Sequence, residues 1–212
     1  MTWFQHLENH WALVKANFRL VTLRNLLLAI AYLAVIPFFQ GVKSLDPIAS
    51  ALCLENYVAL VGCILLVPIT GPEEDSSISE VVGVKPLPQS RAHILRIITG
   101  IGAILALIGC FALFLQQSGC DFPVAKYLIG TFGSALFLGS LGAVTSVLTG
   151  STIIGYLLSI GYLVLNMMGR QRLGVFSILS MSYGSFTEKY YLLGGSVAML
   201  LLVIYSKKLQ RL

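Results

Sequence analysis

Between residues 3 and 21 apolar side chains fall at Phe4, Leu7, Trp11, Val14, Phe18 and Val21, in steps of 3, 4, 3, 4 and 3. That spacing marks one face of an α-helix. Gln5, Glu8, Asn9, Lys15, Asn17 and Arg19 lie between them. With Trp3, Phe4 and Trp11 on the apolar part and Lys15 and Arg19 beside it, the helix suits the headgroup plane of a membrane. Packing on a partner protein is the alternative. The pattern therefore predicts an amphipathic, interfacial helix over 1–22.

Beyond residue 22 the alternation gives way to long apolar runs. Six of them approach the roughly 20 residues needed to cross a bilayer, at about 23–41, 48–69, 97–117, 124–148, 152–169 and 191–206. The fourth and fifth are parted only by Thr149, Gly150 and Ser151, which predicts a tight helical hairpin. The expected fold is an all-α membrane protein, a six-transmembrane-helix bundle over 23–212. Glycines crowd spans three and four: Gly100, Gly102 and Gly109, then Gly130, Gly133, Gly139 and Gly142. Small residues let helices approach closely in lipid, either as fixed packing or as faces that slide during a transport cycle. No internal repeat is evident, which speaks against an inverted-repeat carrier.

Two segments break the apolar pattern. Residues 170–190, RQRLGVFSILSMSYGSFTEKY, have an apolar core from Leu173 to Met181 that is too short to span. A short re-entrant or interfacial helix is expected there, its backbone satisfied by neighbouring protein. Residues 71–96, GPEEDSSISEVVGVKPLPQSRAHILR, are the dense polar stretch and hold Glu73, Glu74, Asp75 and Glu80, four of nine acidic residues. Ser77-Ile78-Ser79-Glu80 fits a capping box. Gly83 can end the helix so begun, and Pro86 and Pro88 forbid its continuation. The expectation is a two-turn helix with acids at its favoured end and Ile78, Val81 and Val82 as apolar knobs for a partner. A solvated loop would need neither the cap nor the knobs.

Composition agrees. The 212 residues are 57% hydrophobic and 11% charged, against roughly 25% charged in soluble domains. The net charge of +5 is explained by basic residues at span ends, with no call for nucleic acid. With the N-terminus inside, Lys15, Arg19, Arg24, Lys85, Arg91, Arg96, Lys207, Lys208 and Arg211 fall on one side. Lys43, Lys126, Arg170, Arg172 and Lys189 fall on the other. Nine against five puts both termini in the cytoplasm. No cleavable signal peptide is expected from the first 25 residues. Cys53, Cys63 and Cys110 read as small buried hydrophobes. Cys120 stands near a span end without an obvious mate, so no disulfide framework is predicted.

Glu55, with Asn56 beside it, is the one carboxylate well inside an expected span. An ionisable group in hydrocarbon is a functional candidate by default, here for a substrate pathway; a late start to the span would leave it solvated. His6 and His10 are four apart, but H-L-E-N-H is not H-E-x-x-H, and no metal site is expected. No catalytic residues are assigned. There is neither a G-x-S-x-G nor a phosphate-binding G-x-x-x-x-G-K-[ST] loop.

Six spans, an amphipathic N-terminal helix, a cytoplasmic helix between spans two and three, and a re-entrant segment before span six together resemble an ABC-2 type transporter permease. The likeness is architectural over the whole chain and motif-like only across about 72–96. There the acidic–helix–P-x-S-R-like order reads Glu73-Glu74, Ile78 to Val82, and Pro86-Leu87-Pro88-Gln89-Ser90-Arg91. The compact size is similar to exporters of amphipathic peptides such as phenol-soluble modulins and bacteriocins. The resemblance implies a non-catalytic subunit in a bacterial plasma membrane, with 78–83 as a coupling helix. Glu74, Ile78, Ser79, Glu80, Val81, Val82 and Arg91 would meet a separate ATPase subunit, and Ser77 and Gly83 would cap the helix. ATP and Mg would bind that partner, and a second permease copy or paralogue would complete the assembly. The cargo would be an amphipathic peptide or lipid-like amphiphile, and membrane lipids the surroundings. Glu73-Glu74 is also similar to the E-E-x-x-x-R element of CAAX-type membrane proteases, but Ile78 stands in the arginine's place. An ATP-independent secondary carrier or channel, or a non-transporting scaffold or immunity protein, are the competing readings.

Overall fold

The computed structural model describes residues 23–69, 89–169 and 174–209, with 89–93 and 207–209 described by backbone alone. Six helices dominate: α1 (Leu23–Gln40), α2 (Pro47–Ile69), α3 (Gln89–Gln117), α4 (Val124–Thr149), α5 (Thr152–Gly169) and α6 (Thr187–Leu209). Each is long and apolar enough to cross a membrane, and no strand occurs among the described residues. The expected interfacial helix over 1–22 and coupling helix over 78–83 lie outside the described residues.

Local chemistry sets the helix boundaries. In α1, Pro37 lies one turn from the end, and the helix closes on Gly41, whose φ is +60° and whose N–H reaches the Pro37 carbonyl at 3.3 Å. Pro47 occupies the first turn of α2, where its missing N–H costs nothing. Further along, α2 is not uniform: an α-helical stretch ends at Asn56 and tightens into a 3₁₀ turn over Val58–Leu60. It tightens again over Val67–Ile69, where Pro68 has no N–H to return to the preceding turn. Gly150, at φ +66°, makes the sharp reversal between α4 and α5, as the Thr149-Gly150-Ser151 spacing predicts. Two helices start earlier than expected. The backbone is already helical at Gln89, so Ser90 and Arg91 belong to α3, and α6 begins at Thr187 rather than near 191.

α4 is the hub, packed against α2, α3, α5 and α6. It and α2 are 67% buried in their apolar windows, against 17% for α1 and 22% for α5, so the latter two turn most of their surface to lipid. Glycine explains how α4 fits. A Cβ on Gly62 of α2 would stand 1.8 Å from the Ala135 carbonyl oxygen, and one on Gly139 would stand 2.5 Å from that of Gly62. On the other flank, a Cβ on Gly155 of α5 would come within 2.5 Å of the Gly142 oxygen. The glycines of span four are thus contact points, while their partners Gly62 and Gly155 escape notice in the sequence. Span three is looser: a Cβ on Gly100 would meet the Leu66 and Ile69 side chains at 3.2 and 3.3 Å, but Gly102 faces open space and Gly109 is met only at 3.8 Å.

One end of the bundle is stitched together. The Ser44 N–H reaches the Ser118 carbonyl at 3.2 Å. Cys120 Sγ accepts from the Leu45 N–H and donates to the Val42 carbonyl, both at 3.4 Å. The Tyr127 ring lies between Phe122 and Phe186, with centroids 5.2 and 6.0 Å away. Cys53 and Cys63 are buried as expected, but Cys110 is exposed on α3. Its place in an apolar run does not reveal which way it faces.

Candidate functional site

Glu55 sits nine residues into α2, about 12 Å along the axis from Pro47 at 1.5 Å per residue. It is completely buried, at 0% exposure, so the solvated alternative does not hold. Its partner is Lys189 in the first turn of α6, with Nζ 2.7 Å from Oε1. Lys189 is itself 2% exposed. By its position in the sequence this lysine counts among the charges outside the membrane. With α6 starting at Thr187 it lies inside the bundle.

Both ions are fully engaged. The ammonium has three donors and finds three acceptors: Glu55, the Ser134 hydroxyl of α4 at 2.7 Å, and the Ile178 carbonyl in close contact. The carboxylate accepts the Met181 N–H at 2.8 Å on Oε1 and the Ser182 N–H at 3.3 Å on Oε2. Those amides begin the 3₁₀ turn Met181–Tyr183. Asn166 of α5 completes the arrangement. It is buried, its Nδ2 donates to the Tyr162 carbonyl at 2.9 Å, and its Oδ1 accepts the Ile178 N–H at 2.8 Å.

The connector between α5 and α6 is therefore held by polar side chains from three spans. Ser177 to Met181 are all buried, and an irregular backbone at that depth is tolerated only when protein satisfies it. Glu55, Asn166 and Lys189 supply that satisfaction. Small residues of α4 make the room: a Cβ on Gly130 would meet Met181 Sδ at 2.3 Å, and one on Gly133 the Lys189 carbonyl at 3.2 Å. Removing one member has a definite consequence. Asn166→Leu leaves the Ile178 N–H buried without its acceptor, and is expected to cost about 1–3 kcal/mol. An earlier onset of unfolding in a detergent titration, with faster amide exchange confined to 177–182, is the expected readout.

Chemically, the pair is a neutral, closed unit. Neither ion faces open space, and each holds the other's partners in place. Its arrangement suits a latch that ties the connector to α2, α4 and α6. Directly after it comes the Val58–Leu60 3₁₀ turn, a kind of mid-helix irregularity that often accompanies hinges. Tyr57 adds a tie there, its carbonyl accepting the Tyr32 hydroxyl at 3.0 Å.

Asn56 does not join this network. Its Oδ1 is buried without a hydrogen-bond partner, and other atoms of the residue line a separate groove together with Met167 and Tyr183. Among the other residues singled out from the sequence, Glu74, Ser77, Ile78, Ser79, Glu80, Val81, Val82 and Gly83 lie outside the described residues. Arg91 falls in the first turn of α3 with only its backbone described. His6, His10 and His93 have no described side chains, and elsewhere no three His, Cys, Asp or Glu side chains gather among the described residues.

Lys189 and Ser134 are the members that sequence reasoning passed over. A signal for Lys189 existed: Ser185 and Glu188 are spaced as a capping pair, and the Ser185 hydroxyl does donate to the Glu188 carboxylate. That places a helix start just before Lys189. No family model, no curated protein and no solved structure matches the chain.

Proposed function

We propose that this chain is the transmembrane permease subunit of an ATP-binding cassette exporter, moving an amphipathic peptide or similar amphiphile out of the cytoplasm or inner leaflet. The observation that carries this reading is the connector between α5 and α6, which folds into a six-helix bundle and is buried from Ser177 to Met181. The resemblance to ABC-2 permeases implies a re-entrant segment at that place. Energy would come from a separate ATPase subunit seated on the polar 71–96 stretch, with residues 78–83 as the coupling helix and both termini in the cytoplasm. Closure of the ATPase pair would push on that helix and rock the spans, and the Glu55–Lys189 latch would keep the connector attached as they move.

Affinity purification of the tagged chain in mild detergent tests the reading. A stoichiometric ATPase with a phosphate-binding loop is expected to co-purify. Glu80→Arg, which reverses a charge, or Val81→Arg, which forces one into an apolar contact, should cut its recovery at least about tenfold. Co-purification undiminished in both variants would refute the docking assignment.

The buried ion pair favours a second reading, an ATP-independent carrier. It predicts uptake driven by an ion gradient into vesicles that hold this chain alone. A copy that binds a partner yet supports neither uptake nor ATP turnover would instead be a scaffold.

A further inference from the structure

At the stitched end of the bundle, between the ends of α1 and α3, lies a groove of about 420 Å³. Pro37, Gly41, Val42, Lys43, Phe114 and Ser118 line it. Pro37 and Phe114 each stand one turn, about 6 Å, inside the helix ends at Gly41 and Ser118. The groove is thus apolar at its deep end and polar where the spans stop. Phe38 and Phe39, directly after Pro37, are 89% and 86% exposed. Helices α1 and α3 are only 17% and 33% buried in their apolar windows, so lipid is the groove's standing neighbour.

The chain fixes Lys43 beside this groove. Gly41 and Ser44, at φ +60° and +51°, turn the backbone on either side of Val42 and Lys43, and for a serine that conformation is uncommon. Val42 is buried and its carbonyl accepts from Cys120 Sγ, while the Ser44 N–H is held by the Ser118 carbonyl. Lys43 itself is exposed, and its ammonium has no ion pair or hydrogen bond among the described residues. No acid lines the groove. The Ser118 hydroxyl spends its proton on the Phe114 carbonyl at 2.9 Å, so it offers an occupant only its lone pairs.

A lone cation over apolar walls, at the depth where acyl chains meet headgroups, is complementary to a lipid phosphate. A free phosphate ion would leave the walls unused, and a zwitterionic lipid brings an ammonium of its own against Lys43. We propose that this groove holds an anionic phospholipid. One acyl chain lies over Pro37 and Phe114, the phosphate rests on Lys43, and a headgroup hydroxyl donates to Ser118. The site does not depend on what powers the protein, so it stands apart from the exporter reading.

Photolabelling of the full chain tests it, in phosphatidylcholine nanodiscs with a minor fraction of phosphatidylglycerol carrying a diazirine high on one acyl chain. Peptide mapping is expected to concentrate the label on 37–43 and 114–118. Unlabelled phosphatidylglycerol should compete with it, and added phosphatidylcholine or inorganic phosphate should not. Lys43→Gln should lower labelling there about fivefold, the effect of one lysine on an anionic headgroup, and Lys43→Arg should restore it. Lys126→Gln, which removes an exposed cation at the same end but outside the groove, should leave it unchanged. Label spread evenly along the lipid-facing helices, equal competition by phosphatidylcholine, or an equal loss in Lys126→Gln would overturn the proposal. Displacement by inorganic phosphate would overturn it too, and would assign Lys43 to a free anion.

Discussion

Lys189→Met is expected to destabilise the bundle by about 3–5 kcal/mol, the usual penalty for stranding one ion of a buried pair. Glu55 would keep two backbone donors, from Met181 and Ser182, but lose the only cation beside it among the described residues. Glu55→Gln should cost a similar amount, leaving the buried ammonium with neutral acceptors only and no counter-charge. The double variant Glu55→Gln/Lys189→Met is expected to be much less harmful than the sum. A glutamine oxygen still accepts from Met181 and no net charge remains buried, while the Ser182 N–H, the Ile178 carbonyl and Ser134 each lose a partner. Unfolding in mixed micelles of the four proteins gives the coupling energy directly. Additive losses would show that the two residues are neighbours without being a pair. The same four proteins separate stability from transport: a double variant that folds but does not turn over would make the latch part of the working cycle.

Gly62→Val should be comparably damaging for a different reason. Its Cβ would stand 1.8 Å from the Ala135 carbonyl oxygen, and a backbone atom cannot rotate away. Helices α2 and α4 would have to separate, opening the contact between the two most buried spans. Overpacking usually costs about 1–3 kcal/mol, and displacing a backbone places this substitution at the upper end. Gly139→Val, whose Cβ meets the Gly62 oxygen at 2.5 Å, should behave likewise. Gly102→Val is the control: nothing lies within 4 Å of its Cβ, so folded yield by size exclusion should stay near that of the unmodified chain. Equal loss in all three would refute the packing account.

These contrasts mark how far the sequence is legible. The spans are read within a few residues because crossing a bilayer is a property of a single segment: length and hydropathy suffice. The α4–α5 hairpin is equally plain, since Gly150 is placed where only a left-handed residue turns the chain so sharply. Facing is another matter. Cys110 and Gly102 sit in the same apolar run as Ile104 and Ile108, yet the former pair is exposed or unopposed and the latter pair buried. A helix that is apolar all round carries no stripe to tell its lipid side from its core side.

The candidate site lies at the same boundary. Glu55 stands out in the sequence because an acid inside an apolar run is costly wherever the helix faces. Lys189 does not, for a lysine near a span end has an inexpensive place in water. Only the folded chain brings Met181 to Glu55 across 126 positions, and only there does α6 begin early enough to carry Lys189 inside. By itself, then, the sequence determined six membrane-length helices, their hairpin and the polar stretch between the second and third, since each follows from local composition. The tertiary structure alone decided which glycines press against a neighbouring backbone and which polar groups pair. Those are relations between distant segments, and no local free energy encodes them.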